Sequence, residues 1–272
     1  MMPKRPYPIT PFHKTAVVTA MAATALGIVH GPLAWIPLVL FLMLCTGASF
    51  CHRCSFYVPV ISRGATNCAA VALTFDDGPD PATTPQLLDI LEDNGVPATF
   101  FVTGERARAY PELIRAIADA GHTLGNHSFS HSTLIAFRGR KRVFDDIAAT
   151  QSELSRLGIV PRVFRPPVGI TYPHLAPVLA ALGLSAVGFS CRARDFGNRA
   201  IRHLSRRILA CAVPGDVIML HDLPPYHVDQ MAAWLVEIEA LVKGLKAKKL
   251  PIRPLAELIG KAVDNRQTIA ER

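Results

Sequence analysis

Two rhythms divide the chain. Positions 15–50 run 36 residues without Asp, Glu, Lys or Arg, and from about residue 68 short apolar runs alternate with amphipathic segments. The run 69–75 is continuously apolar and of strand length. Thr84-Pro85 then opens a helix over 84–93 and Gly95 closes it, with Pro just inside the start and Gly just past the end. The same alternation predicts strands at 98–102, near Thr123, and at 163–165, 185–189, 216–220 and 252–253. Helices are predicted over 111–120, 143–157, 173–182, 202–212 and 228–248, with a last one after residue 253. Strands apolar on both faces, each followed by a helix, imply a parallel sheet. Six to eight such units predict an α/β fold, a (β/α) barrel that is complete or distorted, with its chemistry at the C-terminal strand ends.

As a single helix, residues 15–50 would be about 54 Å long, against a hydrocarbon core of about 30 Å. His30-Gly31-Pro32 interrupts the run. The expectation is a short helical hairpin, or one tilted span with Trp35 near a headgroup level. A cleaved signal peptide is the alternative, because Lys4, Arg5 and Lys14 precede the apolar run. However, no small-x-small site follows Val29, and Leu44 stands before Cys45 where a lipoprotein signal wants a small residue. Membrane retention is therefore expected. A hairpin would leave the rest of the chain cytoplasmic and a single span would export it. The expected organisation is a basic tail (1–14), a membrane segment (15–50), a linker (51–68), a barrel domain (69–263) and a C-terminal tail (264–272).

Composition narrows the class. Half of the 272 residues are apolar and 18% are charged, which excludes a disordered or coiled-coil chain. Five of the 29 Lys and Arg, and none of the 21 Asp and Glu, precede Asp76. The basic runs 138–142 and 202–207, in a chain with 7% aromatics, read as solvated helix faces and not as a nucleic-acid site. Cys51 and Cys54 form a C-x-x-C with no second pair or His to complete a zinc site, and no disulfide is assigned. Cys68, Cys191 and Cys211 read as small core residues.

Candidate chemistry falls where a barrel would put it. Asp76 and Asp77 end the 69–75 strand, in Thr74-Phe75-Asp76-Asp77-Gly78-Pro79. Adjacent carboxylates there repel and cost desolvation unless a cation or an assigned proton relieves them. Diverging side chains would let one hold a metal while the other serves as base; a solvated Asp-Asp-Gly-Pro turn is the plain alternative. His127 and His131, at i and i+4, would share one face of a helix and could share one metal, with Asp77 as third ligand. Two His and one carboxylate with open positions suit Zn²⁺ or another divalent first-row ion in a hydrolytic site. Asp145, Asp146, Asp222 and His122 read as surface or loop residues.

Thr74 to Pro79, His127 to His131, Arg165-Pro166-Pro167-Val168-Gly169 and Met219-Leu220-His221 together resemble the polysaccharide deacetylase family (carbohydrate esterase family 4, the NodB homology domain) over roughly residues 69–260. The apolar segment upstream is similar to that of membrane-attached bacterial members, which implies the bacterial inner membrane. The resemblance implies a distorted barrel of the NodB homology type. It also implies a hydrolase that removes N-acetyl or other N-acyl groups from amino sugars of a polysaccharide, oligosaccharide or glycolipid. Asp77, His127 and His131 would hold the metal, Zn²⁺ or else Co²⁺, Mn²⁺ or Ni²⁺. Asp76 would be the general base, tethered by Arg165. The Val168 N–H would help hold the oxyanion, and His221, oriented by Asp195, would be the general acid.

Two positions depart from the family pattern. Val168 stands where many members carry Tyr, and the fourth motif reads Arg192-Ala193-Arg194-Asp195-Phe196, with Arg192 in place of an Asp. Arg192 and Arg194 would serve in a structural salt bridge, or else meet an anionic group such as a sugar-linked phosphate. A non-catalytic, membrane-bound carbohydrate-binding protein on the same barrel is the alternative function.

Overall fold

A computed structural model describes residues 7–65 and 69–266 of the chain. The apolar stretch folds as two helices, α1 (Pro11–His30) and α2 (Trp35–Ser49), joined by a 3₁₀ turn at Gly31–Ala34. The turn falls at His30-Gly31-Pro32, where the residue before a proline is steered out of the α region. α1 and α2 lie against each other, with the Phe12 ring of α1 stacked on Phe41 of α2 at 5.9 Å. At the open end, Phe12 meets Phe41, Phe56 and Tyr57. Tyr57 donates its hydroxyl to the Cys45 carbonyl (2.9 Å), and the Thr171 N–H donates to Ser49 (3.1 Å). The base of the hairpin thus docks on the folded domain.

That domain runs through β1 (Val60–Ile61), β2 (Ala72–Asp76), α3 (Thr84–Asp93), β3 (Ala98–Val102), α4 (Gly104–Ala109), α5 (Pro111–Asp119) and β4 (Thr123–Asn126). It continues with α6 (Arg140–Ser155), β5 (Val163–Phe164), α7 (Leu175–Leu182), β6 (Ser185–Val187) and β7 (Cys191–Arg192). The last elements are α8 (Leu204–Cys211), β8 (Val217–His221), α9 (Met231–Ala247) and α10 (Leu255–Ile259). The strands form one parallel sheet in the order β1-β6-β5-β4-β3-β2-β8-β7. β6 and β7 belong to a single stretch, 185–192: its first half pairs with β5 and its second half with β8. The shift of partner at Gly188–Ser190 rolls the sheet into a distorted barrel.

The expected strands and helices are mostly present, with boundaries moved by a few residues. The 252–253 strand is reduced to an isolated bridge between Ile252 and Val71. α4, β1 and β7 were not foreseen; each is short, and tertiary pairing rather than local periodicity sustains it. β1 lies within the stretch expected as a linker. Asp264, expected in a tail, is fully buried; it accepts from the Leu124 N–H and pairs with Arg266. The cysteines also need correction. Cys51 and Cys54 are joined as a disulfide, their Cα atoms brought to 5.3 Å by the tight turn after α2. Cys191 is buried as expected and Cys211 is exposed, while Cys68 lies outside the described residues.

The largest core cluster packs α3, α5, α8 and α9 against one face of the central strands, with Phe75 and Phe100 stacked at 5.2 Å. Both rings are fully buried. Phe100→Ala is expected to destabilise the protein by about 3–5 kcal/mol, read as a shift of the urea unfolding midpoint. A change below about 1 kcal/mol would show that this layer is not well packed.

Candidate active site

Strand register brings the chemistry together. Asp76, the last residue of β2, is level with His221, the last of β8. On the other side Asn126 of β4 is level with Phe164 of β5, so His127 and Arg165 both emerge one residue later. Loops after the strands then take backbone conformations rare for L-residues. Among the described residues, eight of the nine non-glycine residues with positive φ, including Asp77 (74°), Ser128 (68°), His131 (48°) and Val168 (57°), lie in these loops. Such strain persists where surrounding contacts over-determine it.

Arg165 is the most constrained side chain in the site. Its guanidinium is buried and donates to Asp76 Oδ1 (2.6 Å), Thr74 Oγ1 (2.7 Å) and the carbonyls of Gly188 (2.9 Å) and Val187 (3.4 Å). It lies 4.0 Å over the Phe101 ring. Phe101 in turn occupies the space a side chain at Gly125 would need, since a Cβ there would fall 2.5 Å from the ring. Asp76 Oδ1 is therefore engaged by Arg165, and Oδ2 accepts no hydrogen bond among the described residues.

Asp77, His127 and His131 converge. Asp77 Oδ1 lies 3.2 Å from His127 Nε2 and 3.1 Å from His131 Nε2, and the three ligand atoms fall within 4.8 Å of one another. The two histidines do not share a helix as the spacing suggested: Ser128 and His131 turn the backbone left-handed, and a bent loop aims both rings at Asp77. His127 Nδ1 is 2.8 Å from the Arg165 carbonyl, which can only accept, so Nδ1 carries a proton and the neutral ring presents a lone pair at Nε2. Asp77 Oδ1 is buried without a satisfying donor. Acceptors facing acceptors in a buried site is the arrangement a divalent cation resolves, and the backbone bond to Nδ1 is the usual way such a ligand is oriented. The three residues fit a tetrahedral or octahedral ion with open positions.

Charge coupling runs across the cluster. Without a cation the alternative is a proton on His127 Nε2: burial alone would raise the Asp77 carboxyl, but a hydrogen bond from protonated His127 and the charges of His127, His131 and His221 hold it well below the usual carboxylate range. Burial disfavours the charged form of His127, and Asp76 and Asp77 outweigh it and push its pKa up. His131 is pushed down by burial and by His127. His221 is 2.7 Å from Asp195 through Nδ1; against the cost of burial, that bond and the Asp195 charge raise it from 6.5 to about 9. A cleft lined by Thr103, Glu105, Arg106, Phe129 and Leu223 opens over Asp77 and His131.

Asp76, Asp77, His127, His131, Arg165, His221 and Asp195 are thus linked through contacts and register at the C-terminal strand ends. The Val168 N–H points to no acceptor among the described residues, while those of Gly169 and Ile170 are taken by Pro166 and Pro167. Arg192 and Arg194 make no ion pair within 4.0 Å among the described residues; the Arg192 guanidinium lies 5.4 Å over Phe189. Two residues read as surface groups prove to be buttresses. Asp222 is fully buried, accepts from Thr83 and Thr84 (2.6 Å each), and burial pushes its pKa up to about 7. Asp146 accepts from the N–H groups of Phe129 (2.9 Å) and Ser130 (3.3 Å) and so shapes the His127–His131 loop. His122 is also buried. Thr74 was legible as the same-face neighbour of Asp76 two residues earlier. Asp146, on a helix remote in sequence, carried no local signal.

The fold and this cluster define a carbohydrate deacetylase acting on carbon–nitrogen amide bonds, and the chain belongs to the polysaccharide deacetylase family. The family's sequence profile matches residues 63–187, a span that includes Asp76, Asp77, His127, His131, Arg165 and Val168. The chain is 37% identical over 173 residues to a chitooligosaccharide deacetylase from Sinorhizobium fredii, covering 62% of this chain and 80% of that protein. It is 35% identical over 191 residues to a peptidoglycan-N-acetylglucosamine deacetylase from Bacillus cereus, covering 69% of each. Among solved structures, the Bc1960 peptidoglycan N-acetylglucosamine deacetylase superposes with a TM-score of 0.68 at 31% identity, over 75% of this chain and 94% of that one.

Because Asp195 raises His221, their attraction stabilises the fold fully below pH 6.5 and is lost as pH rises through about 9. In metal-free protein, Asp195→Asn is expected to lower the His221 midpoint from about 9 toward 6.5, as read by NMR titration of the imidazole. An unchanged midpoint would mean that Asp195 is not its cause.

Proposed function

We propose that this protein is a membrane-attached, divalent-metal-dependent N-deacetylase of amino-sugar glycans. The observation that carries the reading is the convergence of Asp77, His127 and His131 on one point, with Asp76 and His221 level with each other beside it. Asp77, His127 and His131 would hold the ion, for which imidazole and carboxylate donors favour Zn²⁺, with Co²⁺, Mn²⁺ or Ni²⁺ able to replace it. A bound divalent ion supplies Lewis acidity, polarising the acyl carbonyl and bringing a water toward deprotonation near neutral pH.

The remaining steps belong to the chain. Asp76, held in place by Arg165 through Oδ1, takes the proton from the attacking water. As the carbonyl carbon becomes tetrahedral, the Val168 N–H donates to its oxygen, where negative charge develops. His221, charged because Asp195 faces Nδ1, gives its proton to the amide nitrogen, and the carbon–nitrogen bond breaks. One water and one amide become acetate and a free amine. The substrates named for the relatives, chitooligosaccharide and peptidoglycan N-acetylglucosamine, make N-acetylglucosamine the sugar to test first. The hairpin is read as a membrane anchor because the most apolar 18-residue window within Pro11–Ser49 has a mean hydropathy of 2.1 and no part of that window is buried. We assign 11–49 to the bacterial cell membrane and 69–266 to the catalytic domain.

Acetate release from chitooligosaccharide is expected to stop after chelation and to return with Zn²⁺ or Co²⁺. Asp76→Asn is expected to lower kcat about 10²- to 10⁴-fold while metal content, measured by elemental analysis, stays unchanged. Wild-type turnover in Asp76→Asn would remove Asp76 as base. Metal uptake with no release from any N-acyl sugar would favour the non-catalytic binding reading.

A further inference from the structure

The loop after His131 presents a surface that the deacetylation chemistry does not use. Its 3₁₀ turn, Ile135–Phe137, buries Ile135 in a cluster with Val58 and Tyr172 and turns Leu134 (63% exposed) and Phe137 (88% exposed) outward. Arg138, Arg140, Lys141 and Arg142 follow directly and are all exposed. Lys141 pairs with Asp145 at 2.6 Å; the three arginines make no ion pair within 4.0 Å among the described residues. Large apolar side chains held in water beside unpaired cations are the composition of an interfacial membrane contact.

The position of the loop says which surface it meets. Val58 follows Phe56 and Tyr57, which pack on the base of the α1–α2 hairpin, and Tyr172 follows Thr171, whose N–H bonds Ser49 at the end of α2. The cluster that seats Ile135 is therefore built on the foot of the hairpin. Val168, in the loop after β5, is exposed at the same end of the barrel.

We propose that Leu134, Phe137 and the adjoining arginines dock on an anionic lipid surface, so that the catalytic mouth rests against the bilayer that holds the hairpin. The apolar pair enters the headgroup boundary and the guanidinium groups meet lipid phosphates. Contact fixes the segment between His131 and α6 and brings the cleft to glycan at the membrane surface. The proposal rests on the reading of residues 11–49 as membrane-embedded.

The test uses the full chain in nanodiscs of brominated phosphatidylcholine, with and without phosphatidylglycerol. The native indoles are Trp35, exposed at the hairpin turn, and Trp234, fully buried in the core and a reporter of intact folding. Quenching of Trp35 in the wild type reads the hairpin, and its absence would overturn the embedded segment itself. In Trp35→Phe/Phe137→Trp protein the expected result is a loss of emission and a blue shift in discs containing phosphatidylglycerol. An indole at that position that stays red-shifted and unquenched, while wild-type Trp35 is quenched, would overturn the docking alone. Equal quenching in both lipids would overturn the anionic assignment. Adding Arg138→Gln, Arg140→Gln and Arg142→Gln is expected to reduce the quenching and to leave turnover of soluble chitooligosaccharide unchanged; undiminished quenching would remove the arginines from the contact.

Discussion

The buried ion pair between Arg165 and Asp76 is the contact on which the rest of the structure depends. A guanidinium with almost no access to water is costly unless its donors are matched, and here they reach a carboxylate, a hydroxyl and two carbonyls. Those partners lie on β2 and on the 185–192 stretch, so one side chain from the end of β5 ties together the strands that close the barrel. Removal of the guanidinium would leave Asp76 buried without a counter-charge and the Val187 and Gly188 carbonyls without donors. The same group therefore serves barrel closure and the positioning of the proposed base. This explains why it sits on a strand end and not on a flexible loop.

Around that pair, backbone strain and charge crowding occur together. Asp77, Ser128, His131 and Val168 occupy left-handed conformations, and two of them, Asp77 and His131, aim lone-pair atoms at one another. Each local choice is unfavourable by itself. Asp146 and Asn126 hold the His127–His131 loop through its backbone N–H groups, and Asp222 holds the start of the segment after Asp77 through Thr83 and Thr84. The fold supplies in buttressing what the site costs in strain. Among the described residues, none of the positive-φ residues lies within a strand of the sheet.

The hairpin is continuous with this architecture. Its foot contacts the segments that precede β1 and follow β5, and the turn after α2 places His52 at 4.9 Å from Phe189, beside Gly169. The apolar helices and the catalytic mouth share a packed boundary with no free linker between them. The orientation of the mouth relative to the hairpin is therefore fixed by side-chain contacts.

Sequence alone determined the parallel α/β class, because runs apolar on both faces followed by capped helices have few other solutions. It also offered a candidate chemical set, because paired carboxylates and histidines at predicted strand ends resemble the motifs of one family, although a solvated turn could explain the carboxylates taken alone. α3 and β3 coincide with their predicted limits, since Pro, Gly and apolar patterning act within a few residues. Tertiary structure decided what depends on partners distant along the chain. The i, i+4 spacing of His127 and His131 suggested a helix, and the loop was instead bent by Asp146 from α6. Asp222 looked like a loop residue until the hydroxyls of Thr83 and Thr84 enclosed it. β7, Asp264 and the Cys51–Cys54 disulfide likewise follow from approach in space, and no local periodicity encodes them. Composition and period report the free energy of a segment with itself and with water; contacts between segments set the rest.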